Sequence, residues 1–184
     1  MAVLPIAKMG AEVLKRRAAE VTDFQAPELK DFVQDMVDTM EDAHGVGLAA
    51  PQVHSSQRIV IFFVPANRNA GVEVPLTVMV NPVITPLNED KNEGFEACLS
   101  VPGLTGLVPR YTHIKYSFRD LNGVLVEREA KDFHARVVQH ECDHLDGTLY
   151  PQRMTDMASL AFTDVLQAEA ERDGRELELD EEGT

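Results

Sequence analysis

Between Pro27 and Ala43 the chain runs PELKDFVQDMVDTMEDA, with apolar residues at Leu29, Phe32, Val33, Met36, Val37 and Met40. This i, i+3, i+4 spacing predicts an amphipathic helix, and Pro27 suits its first turn. The next stretch, HGVGLAAPQ, is too small and glycine-rich to extend it. Two β-branched and aromatic runs follow, RIVIFFV at Arg58–Val64 and LTVMVNPVI at Leu76–Ile84, and both predict strands. From Tyr111 to Phe118 the chain alternates. Ile114, Tyr116 and Phe118 fall on one side, and His113, Lys115 and Ser117 on the other, as in a half-buried strand. Asn122-Gly123 predicts a tight hairpin turn into VLVERE. Near Asp132 the period becomes helical, and Gly147 is a natural stop. A short helix is expected around Ala11–Ala19, and a last one from Thr155 to about Arg172.

Strands and helices are mixed without a βαβ alternation. The expected fold class is therefore α+β: mostly antiparallel β-sheets packed around a central α-helix, with a C-terminal helix. One domain is expected over residues 1–172, followed at 173–184 by an acidic tail, DGRELELDEEGT, expected to be mobile.

Composition narrows the function. A hydrophobic share of 44% in 184 residues is that of a folded domain. The net charge is −14, and Glu169–Thr184 alone carries eight acids against two arginines. Such a chain repels phosphate backbones, so direct nucleic-acid binding is not expected. No apolar run reaches the ~18–20 residues of a membrane helix. The opening MAVLPIAKMGAEVLKRR lacks the apolar core of a secretory signal, so a mature cytoplasmic start is expected. Cys98 and Cys142 are the only cysteines, too few for a disulfide framework.

The chemistry is concentrated in QHECDHLDG, Gln139–Gly147. His140 and His144 are four apart, so on a helix both imidazoles can reach one metal ion, with Glu141 beside it. Two ligands rarely hold a catalytic metal. No histidine follows His144, and Glu169 and Glu171 fall in the acidic terminal region. Upstream the candidates are His44, His54, His113, His134 and Cys98. A Cys98 thiolate is a strong ligand, although a buried structural cysteine competes as a reading. Cys142 lies about 200° round the helix from the histidines, which assigns it to packing. In GVGLAAPQ, Gly45–Gln52, the small residues let a second backbone approach, so an extended peptide can pair there as an added strand. The Gln52 amide that ends the stretch is a candidate oxyanion donor.

GVGLAAPQ, EACLS and QHECDHLDG stand in that order. Together they closely resemble the peptide deformylase signature: G-φ-G-φ-A-A-x-Q, E-G-C-L-S and H-E-x-D-H. The resemblance spans nearly the whole chain, from VLPI through VNPVI, LSVPG and VPR to the histidine motif. It implies an enzyme that removes the formyl group from the N-terminal methionine of new bacterial or organellar proteins and releases formate. Cys98, His140 and His144 would then hold one divalent metal per chain, most often Fe2+ in the family, with Ni2+, Co2+ or Zn2+ able to occupy the site. Glu141 would be the general base and acid. Gln52 and the Leu99 N–H would hold the oxyanion, and Gly47 would hydrogen-bond the nascent peptide. For the methionine pocket the candidates are Val46, Leu48, Phe133 and Val137. Glu96 and Arg110 form a candidate pair that orients a metal-binding histidine, with a surface ion pair as the bland alternative.

The chain departs from the family pattern at Ala97, where the signature has glycine. If that position needs positive φ, alanine costs ~1 kcal/mol or more. A basic C-terminal helix docks some relatives on the ribosome. The acidic end here opposes that route, so stable ribosome docking is not expected and any contact would be transient; the expected setting is a bacterial cytoplasm with N-formylmethionyl peptides as partners. Two other readings stay open: an H-E-x-x-H peptidase with a third ligand other than Cys98, and a binding-only relative that releases no formate.

Overall fold

The computed structural model describes residues 2–174. Pro27–Asp42 forms α1, and its predicted apolar face is the buried one: Leu29, Val33, Met36, Val37 and Met40 turn inward. The remaining elements are β1 (Gly47–Ala49), β2 (Ile59–Val64), β3 (Val74–Pro86), β4 (Lys91–Ala97), β5 (Leu104–Tyr111), β6 (His113–Arg119), β7 (Leu125–Lys131), α2 (Asp132–Leu145), β8 (Ala161–Phe162) and α3 (Thr163–Arg172).

Two antiparallel sheets result, one ordered β1-β2-β3-β6-β7 and one ordered β4-β5-β8. The expected α+β class is the observed one. Strand β2 explains the layering. Its Ile59 and Ile61 pack with α1, while Val60 and Phe62 pack with Val137, Val138, Cys142 and Leu145 of α2. Both faces are covered, so the run is apolar throughout instead of alternating. Helix α2 also touches β5, which puts it between the two sheets. Beneath the smaller sheet, Cys98, Val101, Val108, Leu149 and Tyr150 form a third cluster.

Strand β3 is bulged, with its register to β6 shifting between Val80 and Val83. Pro82 has no N–H for the ladder, and Asn81 sits at φ 53°. The Asn81 amide instead bonds both backbone groups of Val21, each at 2.9 Å.

Two local expectations are corrected. Over Ala11–Ala19 only a 3₁₀ turn forms, Glu12–Lys15. The rest is drawn out to meet other backbone. Ala18 N donates to Leu145 O at 2.8 Å and Ala19 N to Ser56 O at 2.9 Å, and Arg58 N donates to Ala19 O at 2.8 Å. The last helix starts at Thr163, not Thr155. Before it, the Asp156 side chain accepts from Ala158 N at 2.8 Å and Ser159 Oγ donates to Asp156 O at 2.8 Å. Such local bonds compete with helix, and Ala161–Phe162 then pairs with β5. The expected tight hairpin turn at Asn122-Gly123 does form between β6 and β7, closed by Asp120 N donating to Val124 O at 2.9 Å. Only Gly123 is left-handed, at φ 80°, and the Gly123 N–H donates to Asp120 O at 2.9 Å. From residue 175 on, the expected acidic tail lies outside the described residues.

Candidate metal centre and active site

Cys98 directly follows β4, and His140 and His144 face it from α2. One ligand atom from each lies within 4.8 Å of the others, and all three residues are buried. Cys98 Sγ is 3.4 Å from His144 Nε2, and the two imidazoles cross at 79° with centroids 5.0 Å apart. Among the described residues, this is the group that can hold a metal ion. The donor chemistry fits one. A thiolate and two imidazoles make the three-ligand set of an open catalytic site. His140 Nδ1 donates to Glu96 Oε2 at 2.9 Å, which directs the Nε2 lone pair into the cluster. Burial, with His140 and Arg110 nearby, pushes His144 well below its ordinary pKa against the weaker pull of Glu96. Its ring is therefore neutral, as a ligand must be.

The other upstream candidates lie elsewhere. His44 and His54 are exposed at left-handed positions after α1 and after the Ala50–Val53 turn. His113 pairs with Glu129 at 3.0 Å, and His134 meets the Tyr116 hydroxyl at 3.0 Å. Cys142 packs into the apolar core.

Glu96 and Arg110 meet as a buried bidentate pair, with both contacts at 2.9 Å. Burial alone would raise Glu96, but the Arg110 guanidinium overrides it and holds the carboxyl well below the usual range. Arg110 continues to Asp143 Oδ2 at 2.6 Å, and Asp143 also binds Arg153. Sequence reasoning missed Arg136, which donates to Glu96 Oε1 at 2.8 Å. Its position four before His140 on the same helix was the available signal.

Gln52 is buried, and its orientation is set by Ala49 N donating to Oε1 at 2.8 Å. Its Nε2 is thereby aimed at Cys98 Sγ, 3.5 Å away, and at Ser100 Oγ, 3.3 Å away. Leu99 begins the turn after Cys98, which Val101 N closes onto Cys98 O at 2.8 Å. Glu141 is fully buried against Gly47. A Cβ on Gly47 would collide with the Glu141 carboxylate and force that side chain to move. Val46 is buried, and the Leu48 side chain packs into the cluster under α1. Val137 is buried, and Phe133 lies under the Arg68 guanidinium at 3.7 Å. Ala97 is absent from the positive-φ positions and pairs with Thr105 as an ordinary strand residue.

A groove of about 780 Å³ runs beside α2, past Gln139, Cys142, Asp143 and the Pro82–Ile84 bulge. None of the three ligand candidates lines it, so side-chain chemistry and not volume locates the centre.

The family model described as "Polypeptide deformylase" matches residues 3–159. The chain belongs to the polypeptide deformylase family. It is 52% identical over 163 residues to "Peptide deformylase 1" of Bordetella pertussis, covering 88% of this chain and 93% of that protein. It is 49% identical to "Peptide deformylase 2" of Ralstonia nicotianae, covering 89% and 94%. A Met-Ala-Ser-bound class I type b peptide deformylase from Acinetobacter baumannii superposes with a TM-score of 0.77 at 40% identity, over 83% of this chain and 99% of that one. The deformylase activity follows: this is a metal-dependent hydrolase that removes the N-formyl group from the N-terminal methionine of nascent polypeptides and releases formate.

Proposed function

We propose that Cys98, His140 and His144 hold the metal, that Glu141 moves the protons, and that Gln52 and the Leu99 N–H receive the oxyanion. The convergence of Cys98, both histidines and the aimed Gln52 amide carries this reading. A bound divalent ion would supply Lewis acidity, which brings the pKa of a water towards ~7. Glu141 takes the proton from the attacking water and passes it to the leaving amine. Gln52 Nε2 and the Leu99 N–H receive the charge that develops on the formyl oxygen, at ~3 kcal/mol for one such donor. The products are formate and a free α-amine.

The substrate is an N-formylmethionyl peptide. It pairs along the outer edge of β1 around Gly47, between Val46 and Leu48; β2 occupies the other edge, where Phe63 N–H already takes the Val46 carbonyl. Val46, Val137 and Phe133 give the methionine side chain an apolar wall. Glu96 and Arg110 orient His140. The resident ion is Fe2+, with Ni2+, Co2+ or Zn2+ able to replace it. Residues 1–172 form the catalytic domain. The reaction takes place in the bacterial cytoplasm, with at most transient ribosome contact and no direct nucleic-acid binding.

The test is formate release from formyl-Met-Ala-Ser by protein loaded anaerobically with ferrous iron, beside a nickel-loaded sample and Glu141→Ala. Rapid release that is lost in the variant supports the roles. A folded protein with one metal per chain and no release overturns them.

A further inference from the structure

The metal ligands come from two separate elements. Cys98 leaves the end of β4, and both histidines sit on α2. Their spacing is therefore the spacing between a strand and a helix, and something has to set it.

Arg136 bridges that gap. It lies one helical turn before His140 and is buried. Nη1 donates to Glu96 Oε1 at 2.8 Å, to Val108 O at 2.8 Å and to Gly94 O at 3.4 Å. Nη2 donates to Asn92 O at 2.9 Å and to Asn92 Oδ1 at 3.0 Å. One side chain thus ties α2 to β4 in three places and to β5 in one. It also completes the shell of Glu96. Oε1 of that carboxylate accepts from Arg110 and Arg136, while Oε2 accepts from Arg110 and His140.

Gly94 is shaped for this contact. A Cβ there would stand 2.8 Å from Arg136 Cζ and 2.9 Å from Nη2. Gly94 does not adopt a left-handed backbone, so what it provides is room for the guanidinium to lie across the strand.

We propose that Arg136 is a positioning residue of the metal centre. It fixes the distance between the strand that delivers Cys98 and the helix that delivers the histidines, and through Glu96 it aims His140. The proposal rests on the reading of Cys98, His140 and His144 as ligands. It differs from a purely structural role, in which a buried cation adds stability and leaves the metal unaffected.

The test uses the full chain as wild type, Arg136→Met, Arg136→Lys, Gly94→Ala and Cys98→Ser. Each protein is stripped of metal and titrated with Co2+ against a chelating dye. The visible and thiolate-to-cobalt absorption, thermal melting, and kcat and KM for formyl-Met-Ala-Ser are then recorded. Arg136→Met is expected to bind cobalt about 10–100-fold more weakly, with an altered spectrum. Its kcat falls while KM stays within about twofold, because the lost geometry matters at the reacting centre. Gly94→Ala reproduces these changes without altering any charge, and Arg136→Lys recovers them in part. If Arg136→Met does not fold, the other two variants carry the same readouts. A lower melting temperature with wild-type cobalt affinity, spectrum and kcat in all of them overturns the proposal and leaves the ligand reading intact. A wild-type spectrum in Cys98→Ser overturns both.

Discussion

Towards the larger sheet, α2 presents Ala135, Val138, Cys142 and Leu145, which pack among Val60, Phe62 and Met79. Towards the smaller sheet it presents Arg136, Gln139, His140 and Asp143. Each of these has directional partners: Asn92, Glu96 and Val108 for Arg136, Tyr111 for Gln139, Glu96 for His140, Arg110 and Arg153 for Asp143. Both flanks are out of water, but they restrain different things. Apolar burial scales with area and has no direction, so it holds the helix down without fixing its rotation. Hydrogen bonds to buried charges fix distances and angles. A metal centre needs distances and angles, and the candidate ligands lie on the side where these are fixed.

The strongest way to break the polar flank is Glu96→Ala. It leaves the buried Arg136 without a carboxylate and the buried Arg110 with Asp143 alone. Loss of one partner of a buried ion pair typically costs ~3–5 kcal/mol. Metal affinity should fall about 10–100-fold as His140 loses its acceptor. Urea unfolding and cobalt titration read the two effects separately. Wild-type values in both would mean that the network is ornamental.

Leu145→Ala attacks the apolar flank at a fully buried position. The expected loss is ~2–5 kcal/mol from the transfer and cavity terms. Cobalt affinity of the folded protein should hardly move, because no angle at the ligands depends on that side chain. A joint drop in stability and affinity would show that the two flanks are mechanically coupled after all.

Acid should strain the apolar flank through His134. The ring is packed against Phe62 of β2 and Tyr116 of β6, and the charged Arg128 of β7 is near. Burial, with Arg128 adding to it, pulls its pKa from 6.5 to about 4. The unfolded chain therefore takes up this proton first as pH falls. Stability is lost between about pH 6.5 and 4 and levels off below that. The loss is on the order of 2 kcal/mol once partial solvent screening is allowed for. Urea unfolding at pH 7 and at pH 4.5 should differ less in His134→Gln than in the wild type. An equal difference in both would remove His134 as the source.

The two flanks were unequally legible in the sequence. The apolar one declares itself by period: Val137, Val138 and Leu145 repeat as a helix should, and β2 and α1 do the same. The polar one does not. An arginine at 136 looks solvated until Glu96, forty residues away in sequence, is brought beneath it. Strand β4, KNEGFEA, was missed because its inward residue Glu96 is charged and Gly94 leaves room for another side chain. Strand β1 was missed because three residues are too few to show an alternation. The histidine pair was visible at once from its spacing. Cys98 was one of five upstream candidates, and only the resemblance, and then the fold, separated it from the rest.

The smallest effect is expected at Ala97, beside Cys98 and between the two kinds of restraint. The resemblance places glycine here, and a methyl at a left-handed position would be strained. The backbone is not left-handed, and residue 97 pairs with Thr105 in the β4–β5 ladder. The methyl group is buried and meets no conformational penalty. Ala97→Gly therefore relieves no strain. It frees the unfolded chain and removes a small apolar contact, at ~0.5–1 kcal/mol of stability. Formate release should stay within about twofold, since none of the network bonds from Glu96 passes through this side chain. Melting curves and kcat of the variant decide the matter together. A several-fold gain in kcat would show that the methyl crowds the thiolate, and that spacing at Cys98 is limited by packing as well as by the arginines.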